Sequence, residues 1–167
     1  IDSIVDQNSG YRVQCIIIND GSSDDSGKIL LDYKYCDGVT VVNQDNKGFS
    51  GARNTGLDLI EGRYVMFVDS DDKLATMAIR NLLDVAFQYN ADVVAGNYKT
   101  VNEKGRLRRE YKKYSFQKIN PEGNLYGQPW GKVYKAELFT NLRFPEGYWY
   151  EDSIFAQIVW PLTKHVY

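Results

Sequence analysis

The chain has little of several things that would fix its class early. Its 167 residues include two cysteines, Cys15 and Cys36, far apart and without CxxC spacing, so a reduced, cytoplasmic protein is the simplest reading. No run approaches the ~18 apolar residues of a membrane span, and the first residues do not read as a signal peptide. Any membrane contact is therefore expected to be peripheral, at the inner face, or to be made through other parts of the protein. Charge of either sign is scarce in net terms: the balance of −2 gives no support to a nucleic-acid partner. Internal repeats and low-complexity linkers are also missing, which leaves one domain over 1–167 as the expectation. A composition of 43% hydrophobic and 25% charged residues is that of an ordinary globular protein.

What is present is alternation. Residues 1–7 (IDSIVDQ) place Ile1, Ile4 and Val5 on one face, the end of an amphipathic helix. Residues 13–18 (VQCIII) form a continuous apolar run, which predicts a strand buried on both faces. Asp24 or Asp25 is placed to cap a helix reaching about Tyr35, and 39–43 (VTVVN) returns to strand. Residues 49–60 predict a helix with Ala52, Leu57 and Ile60 inward, closed by Gly62. A strand at 64–68, a helix at 75–89 and a strand at 92–95 follow. This order predicts an α/β fold with a doubly wound sheet. Beyond Gly96 the pattern changes. Residues 97–101 and 108–114 flank the turn signal NEKG as an antiparallel pair, 121–131 is irregular, and short helices are expected at 135–140 and 151–160. This irregular C-terminal third is expected to cover one edge of the sheet.

In open α/β sheets ligands bind beyond the carboxyl ends of the strands. Three polar clusters fall there: NDGSSDDS after Ile18, QDNKGFSGARN after Val39–Asn43, and DSDD after Val68. Asp69 and Asp71 form a DxD, and side chains two apart on an extended segment point the same way. Like charges so close repel and lose solvation at the edge of a core. Mg²⁺ or Mn²⁺ would remove that repulsion, with one or two carboxylates, water and substrate phosphates as ligands. The same aspartates also serve as strand-end turn and helix-cap groups, and Asp72 reads as a cap.

The stretch NKGFSGARN is a glycine-bearing loop running into a helix start. Gly48 and Gly51 allow close backbone approach, the helix N-terminus favours an anion, and Arg53 adds a fixed charge toward a phosphate. It is neither GxGxxG nor a GKS/GKT loop, so dinucleotide and P-loop readings fail, while ordinary loop-to-helix capping stays open. A fourth stretch, EGYWYEDSIF, sets Glu151 and Asp152 between aromatics and an apolar helix face. Adjacent carboxylates raise one another's pKa, which suits a general base. A helix start lowers it, and Asp152 also reads as a plain N-cap.

Taken in order, IIINDGSSDDS, NQDNKGFSGARNTGLDLIEGRYVMFVDSDD, PWGKVYKAELF and FPEGYWYEDSIF resemble the bacterial family 2 glycosyltransferases that build capsular and cell-surface polysaccharides. The resemblance runs from about Ile1 to Phe155. It implies a GT-A fold, a Rossmann-like mainly parallel sheet with helices on both faces. It also implies a nucleotide-sugar donor (most often a UDP-sugar), a divalent cation (Mg²⁺ or Mn²⁺), a saccharide or lipid-linked acceptor, and inversion at the anomeric carbon. Carried over by position, Asp20 contacts the nucleotide base, Gly48 and Arg53 lie near the donor, Asp69 holds the ribose, and Asp71 ligates the metal beside the diphosphate. Asp152 is the base that removes the acceptor hydroxyl proton, with Glu151 in support. Residues 1–96 are then the donor part and 97–167 the acceptor and base part. Trp130 and Trp149 are candidates for an acceptor-sugar platform and equally for core rings.

The chain departs from the family pattern in two places. The family opens with a buried central strand ahead of the helix matching 1–7, and its absence here predicts a gap between the strands at 13–18 and 64–68. Either further residues supply that strand or the chain is an inactive fragment. The stretch from Val94 to Trp130 is also shorter than the family's. Arg106, Arg108, Arg109, Lys112 and Lys113 put five positive charges in eight positions, read either as attraction to anionic lipid or a lipid-diphosphate acceptor, or as a solvated hairpin. His165, the only histidine, reads as a strand residue, although some relatives use a C-terminal histidine on the metal. Two rival functions remain: a sugar nucleotidyltransferase, which has no use for the Glu151–Asp152 pair, and a non-catalytic nucleotide-sugar-binding fragment.

Overall fold

The computed structural model describes residues 1–111, 117–121, 125 and 127–167. Lys112, Lys113, the end of the second hairpin strand at Tyr114 and part of the 121–131 stretch lie outside them.

Helix α1 (Asp2–Val5) leads to strand β1 (Cys15–Asp20), which pairs in parallel with β2 (Val39–Gln44) from Cys15↔Val39 to Asp20↔Gln44. Helix α2 (Ser26–Leu31) connects them, and the Asp24 carboxylate accepts a hydrogen bond from the Ser26 N–H at its start. The helix stops at Leu31 rather than near Tyr35, and the residues that follow run in turns. Helix α3 (Gly48–Leu57) follows β2, then β3 (Tyr64–Met66), α4 (Ala78–Gln88) and β4 (Val93–Ala95). Helix α3 ends at Leu57 with Asp58 as its C-cap, so Gly62 does not close it, and its buried positions are Ser50, Gly51, Asn54 and Leu57.

Strands β5 (Tyr98–Val101) and β6 (Leu107–Tyr111) form the expected antiparallel hairpin, with Gly105 of NEKG in the left-handed region at φ +73°. The C-terminal third then supplies a strand that the sequence reading left out. β7 (Lys132–Lys135) lies between β3 and β4 and runs antiparallel to both, so β3 and β4 are parallel to each other. A 3-10 turn (Ala136–Phe139), a π-helical turn (Phe155–Val159) and α5 (Trp160–Leu162) complete the chain. None of the described helices is long and apolar enough to cross a membrane.

The main core lies where β3, β4 and β7 meet the C-terminal third. Phe67 packs edge-on against Phe139 and Phe144 at 5.6 and 5.4 Å, and Tyr134 lies 5.3 Å from Phe155. Tyr134, Phe144, Phe155, Val93, Val159 and Val166 are fully buried. A second cluster joins Ala86, Ala91, Val94 and Val133 under α4.

The apolar run ending in β1 is not buried on both faces as its composition suggests. All six β1 residues are half-buried. Among the described residues β1 pairs only with β2, and β3 only with β7, so no ladder joins β1 to β3 and the expected gap between them is present. A two-stranded ladder leaves each strand one open edge through which solvent reaches its side chains.

Candidate functional site

Three consecutive residues of α3 each hold a different segment, and together they link the polar clusters. The Arg53 guanidinium donates to the Glu151 carboxylate at 2.7 Å and the Asp69 carboxylate at 3.2 Å, and lies over the Phe144 ring at 5.3 Å. Asn54 is buried. Its Nδ2 donates to the Phe144 carbonyl at 2.9 Å and to Glu146 at 3.0 Å, while its Oδ1 accepts the Phe144 N–H at 2.8 Å. The Thr55 hydroxyl donates to Gln44 Oε1 at 2.7 Å, and Gln44 Nε2 in turn donates to Asp20 at 2.6 Å.

Asp20 ends β1. Its Oδ1 also accepts the Lys47 N–H at 2.9 Å, and its carbonyl accepts the Asn46 side chain at 3.1 Å. These bonds fold residues 44–48 into the loop that opens α3. Gly48 stands in the left-handed region at φ +74°, a conformation that a side chain would strain. Lys47, at the N-cap of α3, makes no side-chain cap bond, and the Gly48 N–H donates to Asn46 Oδ1 at 3.2 Å.

Asp69 and Asp71 follow β3 as expected, Asp69 half-buried against Arg53 and Asp71 exposed with no side-chain partner among the described residues. Asp72 does not cap a helix. Its N–H closes a turn onto the Asp69 carbonyl at 3.0 Å, and α4 starts only at Ala78, after Met77 at φ +63°. Burial, and then the Asp69 and Asp71 carboxylates, push the Asp72 carboxyl above its ordinary value. Among the described residues no three His, Cys, Asp or Glu side chains gather as a metal cluster. A hard cation whose shell is completed by phosphate and water takes only one or two oxygen donors from protein, and Asp71 with its neighbour Asp69 would be the residues to hold one. His165 stands elsewhere, its backbone paired with Asp92.

Asp152 lies beside Gly127, where an added Cβ would stand 3.9 Å from its Oδ2, and its carboxylate has no hydrogen-bond partner among the described residues. Its carbonyl accepts the Phe155 N–H at 3.0 Å, so the backbone rather than the side chain starts the turn. Tyr150, just before the pair, is held at φ +64°. Trp149 is 91% exposed and meets no other ring among the described residues. Trp130 is half-buried, bridges in parallel to Phe67 at the end of β3, and meets Tyr98 edge-on at 4.9 Å.

Asn54, Thr55 and Gln44 were not among the residues singled out from the sequence, although all three lie in or beside QDNKGFSGARN. A usable signal was there: Ser50, Asn54 and Leu57 fall on one helical face, and a polar amide on an inward face must find partners.

The profile of glycosyl transferase family 2 matches residues 1–147. Glycosyltransferase GlyA of Streptococcus pneumoniae serotype 4 is 35% identical over an alignment covering 99% of this chain and 26% of that protein. The uncharacterized glycosyltransferase EpsJ of Bacillus subtilis is 33% identical, over 93% of this chain and 49% of its own. The chain therefore spans about a quarter to a half of the length of these relatives. Among solved structures, Staphylococcus aureus TarS residues 1–349 in complex with UDP-GlcNAc superposes with a TM-score of 0.83 at 21% identity, over 99% of this chain and 49% of that one. That likeness establishes the GT-A class of α/β fold. With the profile covering most of its length, the chain belongs to glycosyl transferase family 2.

Proposed function

We propose that this chain carries the donor-binding and base-bearing part of an inverting, metal-dependent glycosyltransferase. It would move a sugar from a UDP-sugar to a saccharide or lipid-linked acceptor in bacterial surface-polysaccharide synthesis, at the cytoplasmic face of the membrane. The relatives' names and the UDP-GlcNAc bound by TarS support the donor class. One observation carries the reading: Arg53 ties Asp69, on the donor side, to Glu151, the neighbour of the unpartnered Asp152. A base must sit opposite the leaving group for single displacement, and this ion pair fixes the two sides relative to each other.

In this reading Asp20 and Asp69 hold the base and ribose of the nucleotide, and Gly48 lets the start of α3 approach the diphosphate. Asp71, with Asp69 beside it, holds Mg²⁺ or Mn²⁺, which would neutralise charge growing on the departing nucleoside diphosphate. Asp152 accepts the acceptor hydroxyl proton. Glu151, engaged by Arg53, positions it. Residues 1–96 thus serve the donor and 97–167 the acceptor and base, within one domain. Trp149 and Trp130 offer rings to the acceptor sugar.

The test is a thermal-shift screen of UDP-sugars with Mn²⁺, followed by a transfer assay. Asp71→Ala is expected to lose the Mn²⁺-dependent stabilisation by UDP. Asp152→Asn is expected to keep donor binding and lose transfer by at least about a hundredfold. Transfer by Asp152→Asn at the parent rate would remove Asp152 as base. If no nucleoside diphosphate stabilised the protein, the donor site would fall.

A further inference from the structure

The β5–β6 hairpin takes almost no part in the core, since most of its residues are exposed. An isolated two-stranded hairpin is marginal in water. This one is tied to the body by a ladder of rings: Trp130 meets Tyr98 edge-on at 4.9 Å, Tyr98 stacks on Tyr111 at 4.5 Å, and the Arg109 guanidinium lies over Tyr111 at 4.6 Å. Register places Tyr98 opposite Tyr111 and Thr100 opposite Arg109, so all four share one face. The ladder starts at the candidate site. Trp130 bridges to Phe67, two residues before Asp69, and Gly127, three residues before Trp130, lies against Asp152.

The hairpin's charge contrasts with that of the chain. Residues 98–111 hold five basic and two acidic side chains, in a protein whose net charge is −2. Arg109 makes no ion pair among the described residues. Stacking covers a face of its guanidinium and leaves the in-plane N–H donors outward, the fork that grips a phosphate through two parallel hydrogen bonds.

We infer that this face of the hairpin is a docking surface for a phosphodiester-linked acceptor chain, with Arg109 on a phosphate and the ring ladder setting its distance from Asp152. The inference rests on the glycosyltransferase reading for what the docked chain is for, but not for the binding itself. A phosphodiester chain presents an anion at regular intervals, and a cation fixed on a rigid ladder outside the reaction centre suits such a repeat. A neutral glycan would gain nothing from Arg109.

Titration calorimetry with short-chain inorganic polyphosphate tests it, using neutral dextran as control and UDP with Mn²⁺ as a separate arm. Polyphosphate is expected to bind, more weakly as salt rises, and dextran is not. Arg109→Ala is expected to weaken polyphosphate binding about tenfold, and Arg109→Lys to restore only part of it, because the fork is lost while the charge stays. Lys99→Ala removes a like charge from the opposite face, where Lys99 lies across from Glu110, and is expected to change binding less than about twofold. UDP binding is expected to be unchanged in all three variants. Equal losses for Lys99→Ala and Arg109→Ala would reduce the effect to bulk charge and overturn the proposal. Arg109-dependent binding to phosphatidylglycerol vesicles, with none to polyphosphate, would make the occupant a lipid surface and overturn it as well. If polyphosphate bound as expected while UDP did not bind at all, the docking surface would stand and the glycosyltransferase reading would fail.

Discussion

Replacing Asn54 by aspartate changes one amide nitrogen to oxygen, with almost no change in volume. In the folded chain that nitrogen donates to the buried Phe144 carbonyl at 2.9 Å and to Glu146 at 3.0 Å, while the side-chain oxygen accepts the Phe144 N–H at 2.8 Å. A carboxylate keeps the last bond and loses the first two. It also faces a carbonyl oxygen and a second carboxylate. Glu146 is exposed and can swing away, but the Phe144 carbonyl cannot, because its ring is locked between Phe67 and Phe155. Leaving that carbonyl without a donor costs about 1–3 kcal/mol, and an uncompensated charge beside it brings the loss to about 2–4 kcal/mol at pH 7.

The sign of the pH dependence distinguishes this mechanism from simple loss of packing. The introduced carboxyl is disfavoured as an anion in the fold, so its folded pKa lies above the unfolded value of about 3.9. The penalty is full above the folded pKa and fades as pH falls through it, because the protonated acid can donate to the Phe144 carbonyl again. Urea unfolding of Asn54→Asp from pH 7 down to about pH 4 should therefore show the gap from the parent protein narrowing. Asn54→Ala should show a comparable gap that does not change with pH. A pH-independent gap for Asn54→Asp, or none at pH 7, would mean that the Asn54 amide does not hold Phe144 in the way described.

Two further outcomes follow from the ion pairs. Arg53→Leu leaves Asp69 and Glu151 without their shared cation and should destabilise the fold by about 2–3 kcal/mol, discounted from the fully buried case for partial exposure. Arg53→Lys should recover part of the stability but not the two-sided geometry, read as a fall in kcat with little change in donor Kd. Asp92 gives the acid limit: burial alone would raise its carboxyl, but the Lys164 and His165 N–H groups and the Lys135 ammonium together hold it below its ordinary value. A depressed carboxyl contributes stability above its unfolded pKa, and that contribution is lost as pH falls through the folded value. Asp92→Asn should thus be less stable than the parent by about 1–3 kcal/mol near neutrality, with the gap closing only below about pH 4.

Much of this was legible in the sequence because the signals were local. The runs at 39–43 and 92–95, the NEKG turn, and the polar clusters at strand ends all depend on near neighbours, and the structure has β2, β4, the hairpin and the rim loops there. β7 was missed because Lys132–Lys135 is four residues long with lysine at both ends, and only its place between β3 and β4 makes it a strand. Lys132 is 4% exposed, its ammonium donating to the Gln128 and Trp130 carbonyls, which no local pattern would suggest. The half-burial of β1 was also out of reach, because an apolar run reports what a strand prefers and not which neighbours it has. Asp72 was misassigned for a related reason: the five residues separating it from α4 carry helix-forming side chains but run as irregular chain into a turn at 76–77.

The roles of Arg53, Asn54 and Thr55 follow from helix geometry. Successive side chains on an α-helix are turned by about 100°, so three consecutive residues cannot serve one neighbour and must reach three. Here they reach Asp69 with Glu151, the Phe144–Glu146 segment, and Gln44 on the way to Asp20. The rotation of α3 about its own axis is therefore shared by all four polar clusters. Leu57, 5% exposed in the main core, fixes that rotation from the next turn. A change that shifted the helix by one residue would move every cluster at once, whereas a change at Asp71 or Asp152, whose carboxylates have no side-chain partner among the described residues, would leave the frame standing. In the proposed function, placing the shared supports on a helix and the reactive groups around it would keep the donor side and the base side in register while each remains accessible.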